Sequence, residues 1–340
     1  VITATPPAEA GSATARRRFP ALHAVLAVLA VVALSVASLF IGVSDVSPAA
    51  LLSDSDDGTA GRILLISRIP RTLAILLTGM AVGVAGLILQ LMARNKFVEP
   101  STVGTVESAM LGILVVTVLV PAAPLLAKMG VAAVFAVAGT ALFLLVLRRI
   151  PLRNTLIVPL VGIMLGGIIG AVTTFCAYRF DLLQSLNSWM IGDFSGVIAG
   201  RYEFLWLVGA LTAAGYFAAD RFTVAGMGSE FTTNLGLNYR AVMSLGLVIV
   251  SLISAVVVVT VGAVPFLGLV VPNLVSILIG DNVRRSVPWV ALLGAGLVLL
   301  CDVLGRLIRF PYEIPVGTVL SVVGAAGFLY LLLRSRRRVA

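Results

Sequence analysis

The sequence predicts an all-α polytopic membrane protein with about ten transmembrane helices and both termini on the cytoplasmic side. Hydrophobic residues make up 60% of the 340 and charged residues only 11%, with a mean hydropathy of +1.11. A soluble domain carries about 25% charged residues. The apolar residues gather into long runs and do not alternate with polar ones. That pattern removes a membrane β-barrel and leaves helices as the spanning element.

Residues 1–18 are small, polar and Pro-containing, end in Arg16-Arg17-Arg18, and read as a disordered lead to a single membrane domain over 19–338. The first apolar run, 19–42, follows that basic cluster as a signal-peptide core would. Such a core needs only about 7–15 residues, and this run is long enough to span. Nearly charge-free runs follow at 72–93, 103–120, 129–147, 156–178 and 204–219. Residues 241–280 carry no charge, over about twice the length of one span. That stretch must break, and Gly262, Pro265 and Pro272 are expected to break it into spans at 241–261 and 266–280. Runs at 288–301 and 314–333 complete the set.

With the N-terminus inside, about twice as many Lys and Arg residues fall on the cytoplasmic side as outside, as the positive-inside bias requires. The external set includes Arg68, Arg71, Lys128 and Arg306, and the acidic loop "SDSDDG" (53–58) is external too. The stretch "SRIPRTLAIL" (67–76) then needs explaining, because Arg68 and Arg71 lie on the disfavoured side. Pro70 suits the first turn of a helix beginning there, and cations beside that positively polarised end cost roughly several tenths of a kcal/mol. An anionic partner outside would account for them. Snorkelling to lipid headgroups explains their depth but not their choice of helix end.

Several function classes drop out. His23 is the only histidine, and Cys176 and Cys301 each sit in an apolar run, which leaves no metal cluster, thiol–histidine pair or disulfide framework. "GDFSG" (192–196) resembles a membrane serine protease motif only superficially, lacks a partnered histidine, and reads as an external turn. No Gly-x-x-x-x-Gly-Lys-Ser/Thr loop occurs, so ATP hydrolysis by that route would have to come from another subunit. The net charge of +9 is dispersed in short clusters that topology explains, and no nucleic-acid partner is expected.

Within the membrane, Glu107 sits in the third span, where a carboxylate at the bilayer centre costs about 2.5–3.5 kcal/mol on insertion scales. It should face a pathway or make a structural hydrogen bond to a neighbouring helix. Gly162, Gly166 and Gly170 lie four apart on one helix face, suited to close helix packing or to a smooth pathway wall. Asn95 and Phe97 follow the second span, as a gate or a plain interfacial turn. Residues 220–240 are the one long inner loop, with short helices expected around Ser229, Thr232 and Thr233.

The stretch "RIPRTLAILLTGMAVGVAGLILQLMARNKFVEPSTVGTVESA" (68–109) resembles the signature region of the FecCD permease family, type II ABC importers of iron-siderophores, haem and vitamin B12. Gly86 and Gln90 match its G-x-x-x-Q, and Asn95, Pro100 and Gly104 match later landmarks. The likeness continues through "WMIGDFSGV" (189–197), "NLGLNYR" (234–240), "GAVPFLGLVVPNL" (262–274), "CDVLGRLIR" (301–309) and "EIPVGTVLSVVGAAGFLYLLL" (313–333). "NKFVEP" and "TVESA" depart from the commoner forms and look like the subgroup for catecholate-type siderophores, whose permease halves often come as two different chains.

The resemblance implies a permease subunit in the bacterial cytoplasmic membrane, with no catalytic residue, metal or cofactor of its own. Its partners would be a cytoplasmic ABC ATPase dimer that uses ATP and Mg, a second permease subunit, an extracytoplasmic binding protein, a ferric siderophore, and membrane lipid. Arg68, Arg71 and Arg306 would receive acidic residues of the binding protein. Asn95 and Phe97 would belong to the inner gate, and Glu107, Gly162, Gly166 and Gly170 to the pathway. Ser229, Glu230, Asn234, Leu235 and Gly236 would seat the loop on the ATPase. The competing class, an ion-gradient-driven secondary transporter of a small organic solute, would need intramembrane acids such as Glu107 or Asp302 and would leave the inner loop unexplained.

Overall fold

A computed structural model of the protein describes residues 21–42, 59–149 and 157–336. The basic lead, the acidic stretch 53–58 and the last residues of the expected domain lie outside them. The described residues are helical, with no strand among them. In chain order the helices are α1 (Ala21–Phe40), α2 (Thr59–Ala93), α3 (Thr105–Leu119), α4 (Leu125–Arg148), α5 (Ile157–Arg179), α6 (Leu183–Met190) and α7 (Leu205–Phe217). They continue with α8 (Ala219–Gly226), α9 (Ser229–Asn234), α10 (Tyr239–Val261), α11 (Leu267–Ile279), α12 (Val283–Ile308) and α13 (Val316–Arg336).

Every apolar run expected to span coincides with one of these helices. Among the described residues, 6 helices are long and apolar enough to cross a membrane, while α3, α7, α11 and most of α13 are shorter apolar helices. The 35-residue α2 is the axis of the bundle, with 78% of its apolar window buried, whereas α1 is 6% buried and presents its leucines and valines outward. Around α2 pack α7, α10, α11 and α12.

Two crossings on α2 are backbone to backbone. A Cβ on Gly79 would lie 2.6 Å from the Gly294 carbonyl oxygen on α12, and one on Gly86 would lie 2.1 Å from the Gly268 carbonyl oxygen on α11. Small residues at such crossings let helices pack closely where lipid supplies no hydrophobic drive.

Three proline positions differ from the expectation. The helix carrying Pro70 begins at Thr59, not at the proline, and passes through a π-helical turn at Leu64–Arg68. The carbonyl of Ile66, which Pro70 cannot serve, accepts instead from the Ala199 N–H at 2.9 Å. Arg68 and Arg71 therefore do not sit at a helix N-terminus. The break in 241–280 falls at residues 262–266, between helices that match the two expected spans, and Gly262 there adopts φ +87°; Pro272, named with Gly262 and Pro265 as a breaker, instead lies inside α11. Likewise α12 starts at Val283, where the Asn282 side chain accepts from the Arg285 N–H at 3.1 Å, and Pro288 lies within it.

Candidate functional site

Arg68, Arg71 and Arg306 meet, as expected, at one end of the bundle, which the orientation above makes the outer end. They are not exposed cations. Arg68 and Arg71 are each 8% accessible and Arg306 2%. Arg71 donates through Nε and Nη2 to Oδ1 of Asp302, at 3.1 and 2.7 Å, and through Nη1 to Oε2 of Glu313 at 2.7 Å. Arg306 pairs with the other oxygen of Asp302, one helical turn back on α12. It also donates to the Ser38 hydroxyl and to the carbonyls of Ser38 and Ile41, while Arg68 donates to the Ile41 carbonyl at 2.7 Å.

The last turn of α1 is thus fastened to α2 and α12 through guanidinium groups. Buried charge requires such pairing and hydrogen bonding. Asp302, considered above as an ion-coupling acid, is spent between two arginines. Glu313 and Ser38 were not foreseen. The four-residue spacing of Asp302 and Arg306 was the available signal.

Between the ends lies a cavity of about 390 Å³ whose lining includes Glu99, Ser101, Glu107, Gly170, Thr173 and Phe266. Glu99, absent from the expected site, is 1% accessible. Its carboxylate accepts from the Ser101 hydroxyl and, at 2.8 Å, from the N–H of Phe266 at the start of α11. Phe266 itself takes φ +62°. A carboxylate there complements the positive end of that helix.

Glu107 turns toward the same cavity, and its Oε2 is buried without a hydrogen-bond partner among the described residues. The three glycines spaced four apart on α5, Gly162, Gly166 and Gly170, divide between the two uses left open. A Cβ on Gly162 would meet the Thr102 carbonyl oxygen at 2.2 Å, and one on Gly166 would touch Glu107 and Gly104 at 3.4–3.5 Å. Gly170 has open space and lines the cavity.

At the other end α2 closes with Arg94 in the left-handed region, φ 52°. The chain then turns at Asn95, whose Oδ1 accepts from the Phe97 N–H at 2.8 Å. Phe97 packs edge-on against Phe328 of α13, ring centroids 6.0 Å apart. Lys96 reaches Asp281 at 2.8 Å and the Ser276 hydroxyl at 2.9 Å.

A second cavity of about 420 Å³ opens here between Gln90, Asn95, Lys96, Asn273 and Asp281 on one side and Thr223 and Gly226 of α8 on the other. Gln90 explains the G-x-x-x-Q pattern physically. Pro272 leaves the Gly268 carbonyl without its intrahelical donor; Gln90 Nε2 supplies one at 3.1 Å, and Gly86 permits the approach.

The stretch 220–240, expected to be the inner loop, folds into the short helices α8 and α9, as its sequence predicts. Thr232 clamps them, donating to the carbonyls of Val224 and Gly228 at 3.1 and 2.6 Å. Ser229, Glu230, Asn234, Leu235 and Gly236 face outward, and Met227, Phe231 and Leu235 expose apolar surface at 54%, 48% and 56%.

Residues 27–334 match the model of the FecCD transport family. The chain belongs to that family. It is 50% identical over 305 residues to the petrobactin import system permease protein YclN of Bacillus subtilis, covering 89% of this chain and 95% of that one. It is 42% identical to the petrobactin permease FatD of Bacillus anthracis, covering 92% and 91%. The ferric-anguibactin transport permease FatD of Vibrio anguillarum is 41% identical, with 91% and 98% covered. A solved metal-chelate type ABC transporter in an inward-facing conformation superposes with TM-score 0.78 at 22% identity, covering 92% of this chain and 99% of that one. That likeness bears on the fold alone. Family membership and the apolar helices together make this FecCD-family chain a multi-pass membrane protein.

Proposed function

We propose that this chain is the permease subunit of an ATP-driven ABC importer for ferric siderophores, set in the bacterial cytoplasmic membrane. The likeness, over about nine-tenths of the chain, to permeases named for petrobactin and anguibactin carries the reading. The chain crosses the membrane ten times, with both termini inside, and pairs with a second, like or unlike, permease subunit. An extracytoplasmic binding protein delivers the chelate at the Arg68, Arg71 and Arg306 end. The chelate passes the cavity holding Glu99, Glu107 and Gly170 and leaves past Asn95 and Phe97. The chain is not itself an enzyme; ATP and Mg are used on a separate ATPase dimer.

The paired helices α8 and α9 support that last assignment. Their inner faces bury Phe222, Ala225 and Thr232, while Met227, Phe231 and Leu235 stay uncovered. Leu235→Asp is expected to leave the protein folded and inserted but to abolish co-purification with the ATPase and ferric-siderophore uptake. Gly236, at φ +76°, would be strained by any bulky replacement and is the poorer probe. Uptake in proteoliposomes that persists without ATPase, and collapses when an ion gradient is dissipated, would overturn the importer reading in favour of a secondary transporter.

A further inference from the structure

Two carboxylates of unequal standing hold Arg71. Asp302 is wholly buried and binds Arg71 with one oxygen and Arg306 with the other. Glu313 takes the remaining arm from the solvent side: its side chain is 27% exposed, against 10% for Arg71. An incoming anion therefore competes with Glu313 for Nη1 of Arg71. Among the described residues the cluster sets three guanidinium groups against two carboxylates, so one positive charge is left to attract such an anion.

Glu313 also stands three residues ahead of α13. Along that helix Gly324 packs against Phe266, where an added Cβ would lie 2.5 Å from the Phe266 Cβ, and Phe328 meets Phe97. The ion pair thus holds one end of a helix whose other half closes on the turn after α2.

We propose that Glu313 is an internal stand-in for an acidic side chain of the binding protein. On docking, that carboxylate replaces Glu313 on Arg71, Glu313 passes to water, and the outer end of α13 is released while Asp302 keeps Arg71 in place. The physical basis is the asymmetry of the two pairs. Stripping a fully buried partner leaves an uncompensated charge, whereas a partly exposed pair contributes little and exchanges readily. The proposal rests on the docking reading above and adds to it a competitor built into the permease.

The test uses the complete permease–ATPase complex in lipid nanodiscs and the purified binding protein from the same source. Glu313→Gln removes the competitor's charge. It is expected to raise binding-protein affinity about fivefold at low salt, with the gain shrinking at higher salt, and to raise ATP hydrolysis in the absence of binding protein. Glu313→Asp, which draws the carboxylate back, is expected to fall between, and serves if the glutamine variant does not assemble. Unchanged or weakened binding in an assembled variant overturns the exchange. Arg68→Glu separates the two failures. If that variant loses binding while Glu313→Gln is neutral, docking stands and the exchange is wrong; if it binds as well as wild type at low salt, both fall.

Discussion

At the outer end of the bundle Arg71, Asp302, Arg306 and Glu313 form one connected set, with Asp302 at 0% exposure. At the inner end the ion pairs are separate and wet: Lys96–Asp281 has side chains 58% and 72% exposed, and Arg284–Asp220 67% and 63%. The same residue types therefore do different work. Outside, Arg71, Asp302 and Arg306 are buried and stay tolerable only because their neighbours are present, so these three act as a fixed joint between α1, α2 and α12, with Glu313 on its wetter side. Inside, each pair links two elements that water could solvate equally well, so it can form and break at little cost. On the proposed reading this end opens to the cytoplasm, and contacts of the second kind suit it.

The sharpest way to break the comparison is at Asp302. Asp302→Asn keeps the shape but leaves Arg71 and Arg306 facing an uncharged group, and removing one partner of a buried pair destabilises by about 3–5 kcal/mol. A large fall in the detergent melting temperature is expected, well beyond that of Asp281→Asn. Equal shifts for the two variants would mean that burial does not distinguish the ends.

A neutral contact gives an intermediate case. Gln90→Ala leaves the Gly268 carbonyl, already without its α11 donor because of Pro272, unsatisfied. A buried acceptor in that state costs about 1–3 kcal/mol. The melting temperature should fall by less than in Asp302→Asn. Double substitution with Pro272→Ala, which restores the intrahelical donor, should recover part of the loss. No recovery would show that Gln90 acts by packing and not by serving that carbonyl.

Much of the helical layout was legible because hydropathy alone decides where a lipid-facing chain is helical, and the runs around α1, α4 and α5 are long and uninterrupted. The prolines misled for one shared reason. At Pro70 and Pro272 the freed carbonyl finds its donor far along the chain, on Ala199 and Gln90, and a local rule that stops helices at proline cannot see such donors. The arginines stand out in the sequence because the expected orientation puts them on the disfavoured side; their burial was not legible, because Glu313 and Ser38 are brought to them only by the fold. Glu99 was missed for a similar reason: it lies in a loop by sequence, but its partner is the N–H of Phe266, the residue just before α11.

The smallest expected effect lies in the Lys96–Asp281 latch. Burial alone would raise the Asp281 carboxyl, but hydrogen bonds from Lys96 and Ser276 and the lysine's charge outweigh it and hold the carboxyl below the ordinary aspartate range. A carboxyl depressed on folding stabilises above its unfolded value and loses that contribution as pH falls through its folded value. The latch should therefore be complete at neutral and mildly acidic pH and weaken only as pH falls below the ordinary aspartate range. Because both side chains are exposed, Lys96→Ala should change stability by no more than about 1 kcal/mol, and added salt should erase the difference. Its signature should instead be kinetic: with the link between the Asn95 turn and the end of α11 gone, the inner cavity should open more often. A cysteine placed at Thr223, on the α8 side of that cavity, is expected to react faster with a thiol reagent in the Lys96→Ala background at low salt. An unchanged labelling rate would mean that the pair is surface decoration, and that the contrast between the two ends concerns burial alone and not motion.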